Sequence, residues 1–396
     1  MRQRLASFVL IASGLLYAGC SSFASQPPAP IESRTQAPAQ AAPVRPSVQP
    51  ARPQQEPAPP VAPTTTPMPA GEAPAASAET PLIALLLPLS SKTLGTAAES
   101  VKDGFTAAAS AKPETELPIR IYPVNEQTDD LLLTYKQAVM EGARVVVGPL
   151  TKPGLTMLAN SNAVSVPTLA LNSPEANVQL PAKLFSFAIS AEAEARQVAK
   201  LIYDSGRSRV LVVSNDTPLN RRIAAAFSDT WKKLGNTVED DFQLGAKTAY
   251  SKLRERVDAG QPEAIFLALD SRKARLARPY LGSLIPTYAT SQVHNGKLNA
   301  PINQDLVGVQ FVDMPWLVDR QNELVAAYPV SDKALSADFD RLYALGIDAY
   351  RLAARLARGQ APAGLEGVTG FIELGRDQQF TRRASPASIG PADTAQ

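Results

Sequence analysis

"PLIALLLPLSSKTLGTAAESVKDGF", residues 81–105, is the stretch whose reading decides the fold. Leu82 to Leu87 is an apolar run without a polar break, the pattern of a strand covered on both faces, as in a parallel sheet. Pro88-Leu89-Ser90-Ser91 follows as a turn. Thr96-Ala97-Ala98-Glu99 then has capping-box spacing, which places a helix start at Ala97. A helix opening just past the carboxyl end of a buried strand stands where open α/β sheets bind ligands, and its free N–H groups suit an anion.

Downstream, strands and helices alternate. Further strands are expected at 119–124, 144–148, 167–171 and 184–189, and helices at 97–110, 131–141, 153–161 and 193–205. A second set opens with "RVLVVSND" from Arg209. Helices are expected near 221–234, 251–259 and 272–282, with strands near 241–244, 263–270 and 285–290. A crossing strand at 305–316 precedes a long helix, about 336–357, with Leu342, Leu345, Ala349, Leu352 and Leu356 on one stripe. Residues 368–383 read as a closing hairpin, and the last dozen residues as a loose tail. The fold class is therefore α/β, with βαβ units and right-handed crossovers forming two similar lobes. The first lobe spans about 81–190 plus about 317–384, the second about 191–316, and 385–396 is left outside both.

Before residue 81 the chain is of another kind. Arg2 and Arg4 precede an apolar run from Ser7 to Tyr17, too short for a stable span, and Ala18-Gly19-Cys20 ends it. This is an export signal, residues 1–19. Cys20 is the only cysteine, so no disulfide can form within one molecule. "LLYAGC" resembles the lipobox, with Tyr17 where leucine is usual, which makes Cys20 the candidate lipidation site. Ser21 in place of aspartate implies, by the same resemblance, the outer membrane, where two or more acyl chains hold far better than one. Residues 20–80 are the lipidated N-terminus and its linker, which from Ser25 to Thr80 is mostly Pro, Ala, Gln, Ser and Thr, a composition expected to stay disordered and extended. At about 3.1 Å per residue such a tether reaches at most about 170 Å.

Reactive groups are sparse. Formal net charge is +2 with no basic block, so nucleic acid is not an expected partner. His294 is the sole histidine, which excludes metal sites built on several histidines; no metal or cofactor is expected. No G-x-S-x-G elbow accompanies it, and it reads as a surface residue of the polar loop "SQVHNGK". "GPLTKPG" lacks phosphate-loop spacing, since Lys152 precedes Gly154 and Pro153 has no N–H. Asp129-Asp130 and Glu239-Asp240-Asp241 read as solvated loop acids rather than a glycosidase pair. Candidate cleft-lining residues are those that follow expected strands: Ser90, Ser91, Thr151, Asn172 and Ser173 on the first lobe, and Asn215, Asp216, Asp270 and Ser291 on the second. The same residue types also serve as turn and capping residues. Lys92 and Lys152 are the basic residues near the first lobe's edge.

"IALLLPLSSKTLGTAAESVKDGF", "VVVGPLTKPG", "PTLALN" and "LYALGIDAYRLA…GVTGFIEL" together resemble the LppC/LpoA family of penicillin-binding protein activators, in the family's order and over 82–384. The resemblance implies two Rossmann-like lobes of the type I periplasmic-binding-protein (Venus-flytrap) kind. It also implies a non-catalytic, outer-membrane-anchored lipoprotein that activates a class A penicillin-binding protein in peptidoglycan synthesis. Well-known members carry a helical-repeat domain where this chain has its Pro-rich segment. A lipid-anchored receptor for an amino acid or similar metabolite stays open as the alternative. A cell-wall hydrolase is disfavoured by the missing catalytic set.

Overall fold

The computed structural model describes residues 80–125, 128–238, 240–245 and 250–392. The signal, Cys20 and the Pro-rich tether lie outside the described residues, as does Glu239. Two sheets organise the rest.

The first sheet begins with β1 (Leu82–Leu87), whose six residues are all buried. Its parallel neighbours are β2 (Ile119–Pro123) and β3 (Ala143–Val147), followed outward by β4 (Thr168–Ala170) and β5 (Leu184–Phe187). β2 is the edge strand, which is why Pro123 is tolerated there. α1 (Gly95–Ala111), α2 (Thr128–Met140) and α3 (Lys152–Asn160) connect these strands. The core on one face of the sheet includes Val101 and Phe105 of α1, and that on the other Leu131, Tyr135 and Leu155.

The chain leaves this sheet through α4 (Ala191–Asp204) and builds the second one. Its parallel strands are β6 (Val210–Asn215), β7 (Asp240–Leu244), β8 (Ala264–Ala268), β9 (Thr287–Ala289) and β10 (Gln310–Asp313), in the order β10-β9-β8-β6-β7. α4 and α5 (Pro218–Lys233) cover one face. There Phe227 stacks on Phe266 with centroids 4.1 Å apart, and Trp231 on Phe227 at 5.8 Å. α6 (Tyr250–Gly260) and α7 (Ser271–Ala277) cover the other face. α7 ends earlier than the expected 282, because Pro279 has no N–H for another α-helical bond; a 3₁₀ turn, Arg278–Tyr280, follows.

Two short helices, α8 (Pro315–Val318) and α9 (Glu323–Ala326), bring the chain back to the first sheet. There α10 (Ala337–Ala357) packs along α1. A Cβ added at Gly104 would lie 1.9 Å from the Tyr343 carbonyl oxygen, and one at Gly346 would lie 2.1 Å from that of Val101. The two glycines let the helix backbones touch. β11 (Gly364–Gly367), β12 (Gly370–Leu374) and β13 (Gln379–Arg383) then form an antiparallel meander, and β13 pairs parallel with β5.

Three expectations are corrected. Residues 385–389 are not loose: β14 (Ser385–Ser388) crosses to the second sheet and pairs antiparallel with β10, and Ile389 is buried behind it. Thr96 does not cap α1. The helix starts at Gly95, after a turn in which the Ser91 hydroxyl accepts from the Leu94 N–H at 2.8 Å, so Thr96 is already helical. His294 is not at the surface; its side chain is fully buried against Asp313 and Phe311.

Candidate functional site

The chain passes between the sheets three times, after β5, after β10 and after β13. A cleft of about 330 Å³ opens where carboxyl ends of strands from both sheets face each other. It is lined by Asn172 and Ser173 after β4, Ser190 after β5, Ser291 and Gln292 after β9, Arg222 of α5, and Asp338 and Arg341 of α10. Its size lies at the small end of ligand clefts.

Of the residues expected here, Asn172, Ser173 and Ser291 line the cleft, together with Lys152. The others hold turns and helix ends. Thr151 caps α3 by accepting from the Gly154 N–H at 3.2 Å, and Asp270 caps α7 by accepting from Lys273 at 2.9 Å. The Asn215 side-chain oxygen accepts from the Thr217 N–H and hydroxyl and from Asn220. Asp216 is exposed, and its carbonyl accepts from Arg221. Ser90 sits exposed in the turn that Ser91 closes, and Lys92 is exposed beside it. Even Asn172 is engaged, donating to the Leu150 carbonyl at 2.8 Å while its oxygen accepts from Ser173.

The floor of the cleft is ionic. Arg341 of α10 donates from Nη2 to Asp313 Oδ2 at 2.7 Å and from Nε to Oδ1 at 3.2 Å. The same guanidinium reaches the carbonyls of Ser291 and His294 at 3.1 and 3.0 Å, and Asp338 at 2.8 Å. Asp313 also binds His294 Nδ1 at 2.9 Å and the Met314 N–H at 2.8 Å. Beside it, Glu194 of α4 accepts from the Ser291 N–H at 3.0 Å and pairs with Arg382 of β13. Both ion pairs join a residue borne by the first sheet or its helix to one borne by the second.

Burial works against the Asp313 carboxylate, but the His294 hydrogen bond and the Arg341 charge outweigh it and hold the group below the ordinary carboxylate range. Burial also pushes Glu194 up; Arg382 opposes this and the nearby Asp313 charge adds to it. His294 has no exposed ring edge, so it cannot serve as base toward a substrate. Among the described residues, no group of three or more His, Cys, Asp or Glu could hold a metal ion. No described helix is long and apolar enough to cross a membrane.

The reading of the sequence missed this floor. "SAEAEARQ" reads as a solvated first turn, with nothing to separate Glu194 from Glu192. A signal did exist in α10: Arg341 and Asp348 lie seven apart, in helical register with Leu345 and Leu352 on an apolar stripe. Both are buried. Asp348 accepts from the N–H groups of Val368 and Thr369 at 3.1 and 2.8 Å, from the Thr369 hydroxyl at 2.6 Å and from Arg351 at 3.0 Å. "LGIDAY" thereby meets "GVTGF", while Gly346 meets the helix of the opening stretch. The signature stretches are contact points of the scaffold.

The LppC family profile, described as "LppC putative lipoprotein", matches residues 74–243 and 241–388. The chain belongs to the LppC family. Among curated proteins, the penicillin-binding protein activator LpoA of Glaesserella parasuis is 29% identical over 310 residues, covering 75% of this chain and 51% of its own length. That of Pectobacterium parmentieri is 29% identical over 335 residues, 70% and 47% of the two chains. This LppC-family chain thus spans about half the length of the curated relatives it matches. A solved structure from Chromobacterium violaceum, described as a "putative branched-chain amino acid ABC transporter", is 37% identical with a TM-score of 0.68, covering 78% of this chain and all of its own. The C-domain of Haemophilus influenzae LpoA, described as a regulator of PBP1A, has a TM-score of 0.66 at 23% identity, covering 78% and 97%. The fold is that of LpoA and of the type I periplasmic-binding-protein-like receptors.

Proposed function

We propose that this LppC-family chain is a non-catalytic lipoprotein, anchored to the outer membrane through Cys20, that binds and activates a class A penicillin-binding protein. The observation that carries the reading is family membership together with curated relatives named penicillin-binding protein activators. On this reading residues 1–19 are the signal, 20–80 the lipidated tether, and the two lobes the activating body. The lobes divide as about 81–190 plus about 317–384, and about 191–316. An activator raises activity only by binding the more active state of its partner better than the less active one. No side chain of this protein need touch the glycan for that.

The test is glycan polymerisation and peptide cross-linking by the purified class A synthase of the same organism, with and without this protein. A rise in either rate that saturates near equal stoichiometry supports the reading. No change, with no detectable complex, overturns it. The receptor reading draws on the likeness to the Chromobacterium violaceum structure and on the cleft itself. A metabolite panel decides that point: a large thermal shift with one amino acid favours a receptor, and a flat panel removes it.

A further inference from the structure

Short elements on the outer face of the second sheet carry exposed apolar side chains that no described residue covers. Leu276 of α7 is 49% exposed, Leu284 95% and Ile302 58%. Tyr280, one turn beyond Leu276, is also exposed and its ring stacks on Tyr250 of α6 with centroids 5.5 Å apart. The 3₁₀ turn Pro301–Leu306 is tied in by Arg275, which donates to the Ile302 carbonyl at 3.4 Å. Single exposed apolar side chains are ordinary; a tyrosine and three aliphatics on adjoining elements are not.

Charge identifies what fits there. From Ser271 to Thr290 the chain carries Arg272, Lys273, Arg275 and Arg278 and no carboxylate. None of the four is in an ion pair among the described residues, whereas Arg254 on neighbouring α6 is paired with Asp258. Asp305 is the one carboxylate on the adjoining 3₁₀ turn. Asp270 at the N-cap of α7 and Asp305 offset part of this, and Arg278 is half-buried on the Gly282 carbonyl, so the surface offers a net positive charge around an apolar, aromatic centre. Arginine with tyrosine is the composition of protein interface centres, and the apolar groups come from a helix, two 3₁₀ turns and a loop rather than from one amphipathic helix that could lie in a bilayer.

We infer that this face of the second lobe is the docking surface for an acidic, apolar-centred patch on a partner protein. Resting on the proposed function, the inference makes the penicillin-binding protein that partner. The test uses the full-length chain, the purified synthase and a doubly substituted variant, Arg275→Glu with Leu284→Ser, checked for an unchanged melting temperature. Leu133→Ser, at an exposed leucine of α2 beside the first sheet, is the control. The double variant is expected to bind the synthase at least about tenfold more weakly, which is the scale of one interface anchor. The control should bind as wild type does. Raising salt from about 50 to about 300 mM should weaken wild type more than the variant, since screening acts on the cations that remain. Equal affinity of variant and wild type overturns the inference and leaves the activator reading standing. Absence of a wild-type complex overturns both. If the substitutions abolish binding only to vesicles about one-third anionic phospholipid, and not to the synthase, the surface is a membrane contact and the inference fails.

Discussion

Arg341 Nη2 and Asp313 Oδ2 meet at 2.7 Å, 28 residues apart in the chain and carried by different halves of the fold. With Glu194 and Arg382, this pair bridges the two sheets at the floor of the cleft. A receptor that opens and closes around a ligand would have to move against these buried contacts. An activator that presents one fixed surface would not.

Removing Arg341 should expose the cost of that arrangement. Arg341→Ala leaves Asp313 buried with its main counter-charge gone, and should cost about 3–5 kcal/mol of unfolding free energy in denaturant titration. The double variant Arg341→Met with Asp313→Asn should cost less than Arg341→Ala, because no uncompensated carboxylate remains. A double-mutant cycle isolates the coupling.

Acid should act on the same pair. The folded-state pKa of Asp313 is depressed, so its contribution is complete above the unfolded value, near 3.9, and is lost as pH falls through the lower folded value. Glu194 has the opposite sign: raised by burial, its titration favours the fold below its unfolded value and ceases to do so as pH rises through the folded one. Asp313→Asn should therefore flatten the fall in stability below about pH 4 relative to wild type. An unchanged acid limb in thermal melts would show that other carboxylates dominate it.

The helix contact between α1 and α10 has no room for a methyl group. Gly104→Ala puts one 1.9 Å from the Tyr343 carbonyl oxygen, where backbone and not a flexible side chain must yield. A loss of about 1–3 kcal/mol or more is expected, with a matching drop in melting temperature. Gly346→Ala should act similarly. The pair should be non-additive, since both perturb one contact.

The carboxyl terminus should prove structural. Gly308 and Val309 exchange backbone hydrogen bonds with Ile389 at 2.9 and 3.1 Å, and Ile389 is 1% exposed. Ile389→Ala should cost about 2–4 kcal/mol. A stop after Ala384 should cost more, because it also strips β14 from β10. A truncated protein as stable as wild type would contradict the pairing.

Much of this fold is legible in the sequence, because doubly covered parallel strands announce themselves by composition. "LIALLL" and "RVVVG" have no polar face, and helices between such strands follow from period and length. The cleft is less legible. Asn172, Ser173 and Ser291 reach it because they follow strands β4 and β9, whereas Thr151 and Asp270, beyond β3 and β8, and Asn215, at the end of β6, spend their side chains on helix ends and turns. Position after a strand does not separate the two uses.

The sequence by itself determined the α/β class, the order of the longer helices and the parallel strands through α10, the poverty of reactive groups and the family. Each rests on local pattern or on a stretch of neighbouring residues. Only the tertiary structure decided that His294 is buried, that Ser385–Ser388 form an edge strand, and that Glu194, Asp313, Arg341 and Arg382 join the two sheets. For the buried side chains the physical reason is the same. A charged or polar side chain is buried only when a partner arrives to satisfy it, and here the partners come from 19, 28 and 188 residues away.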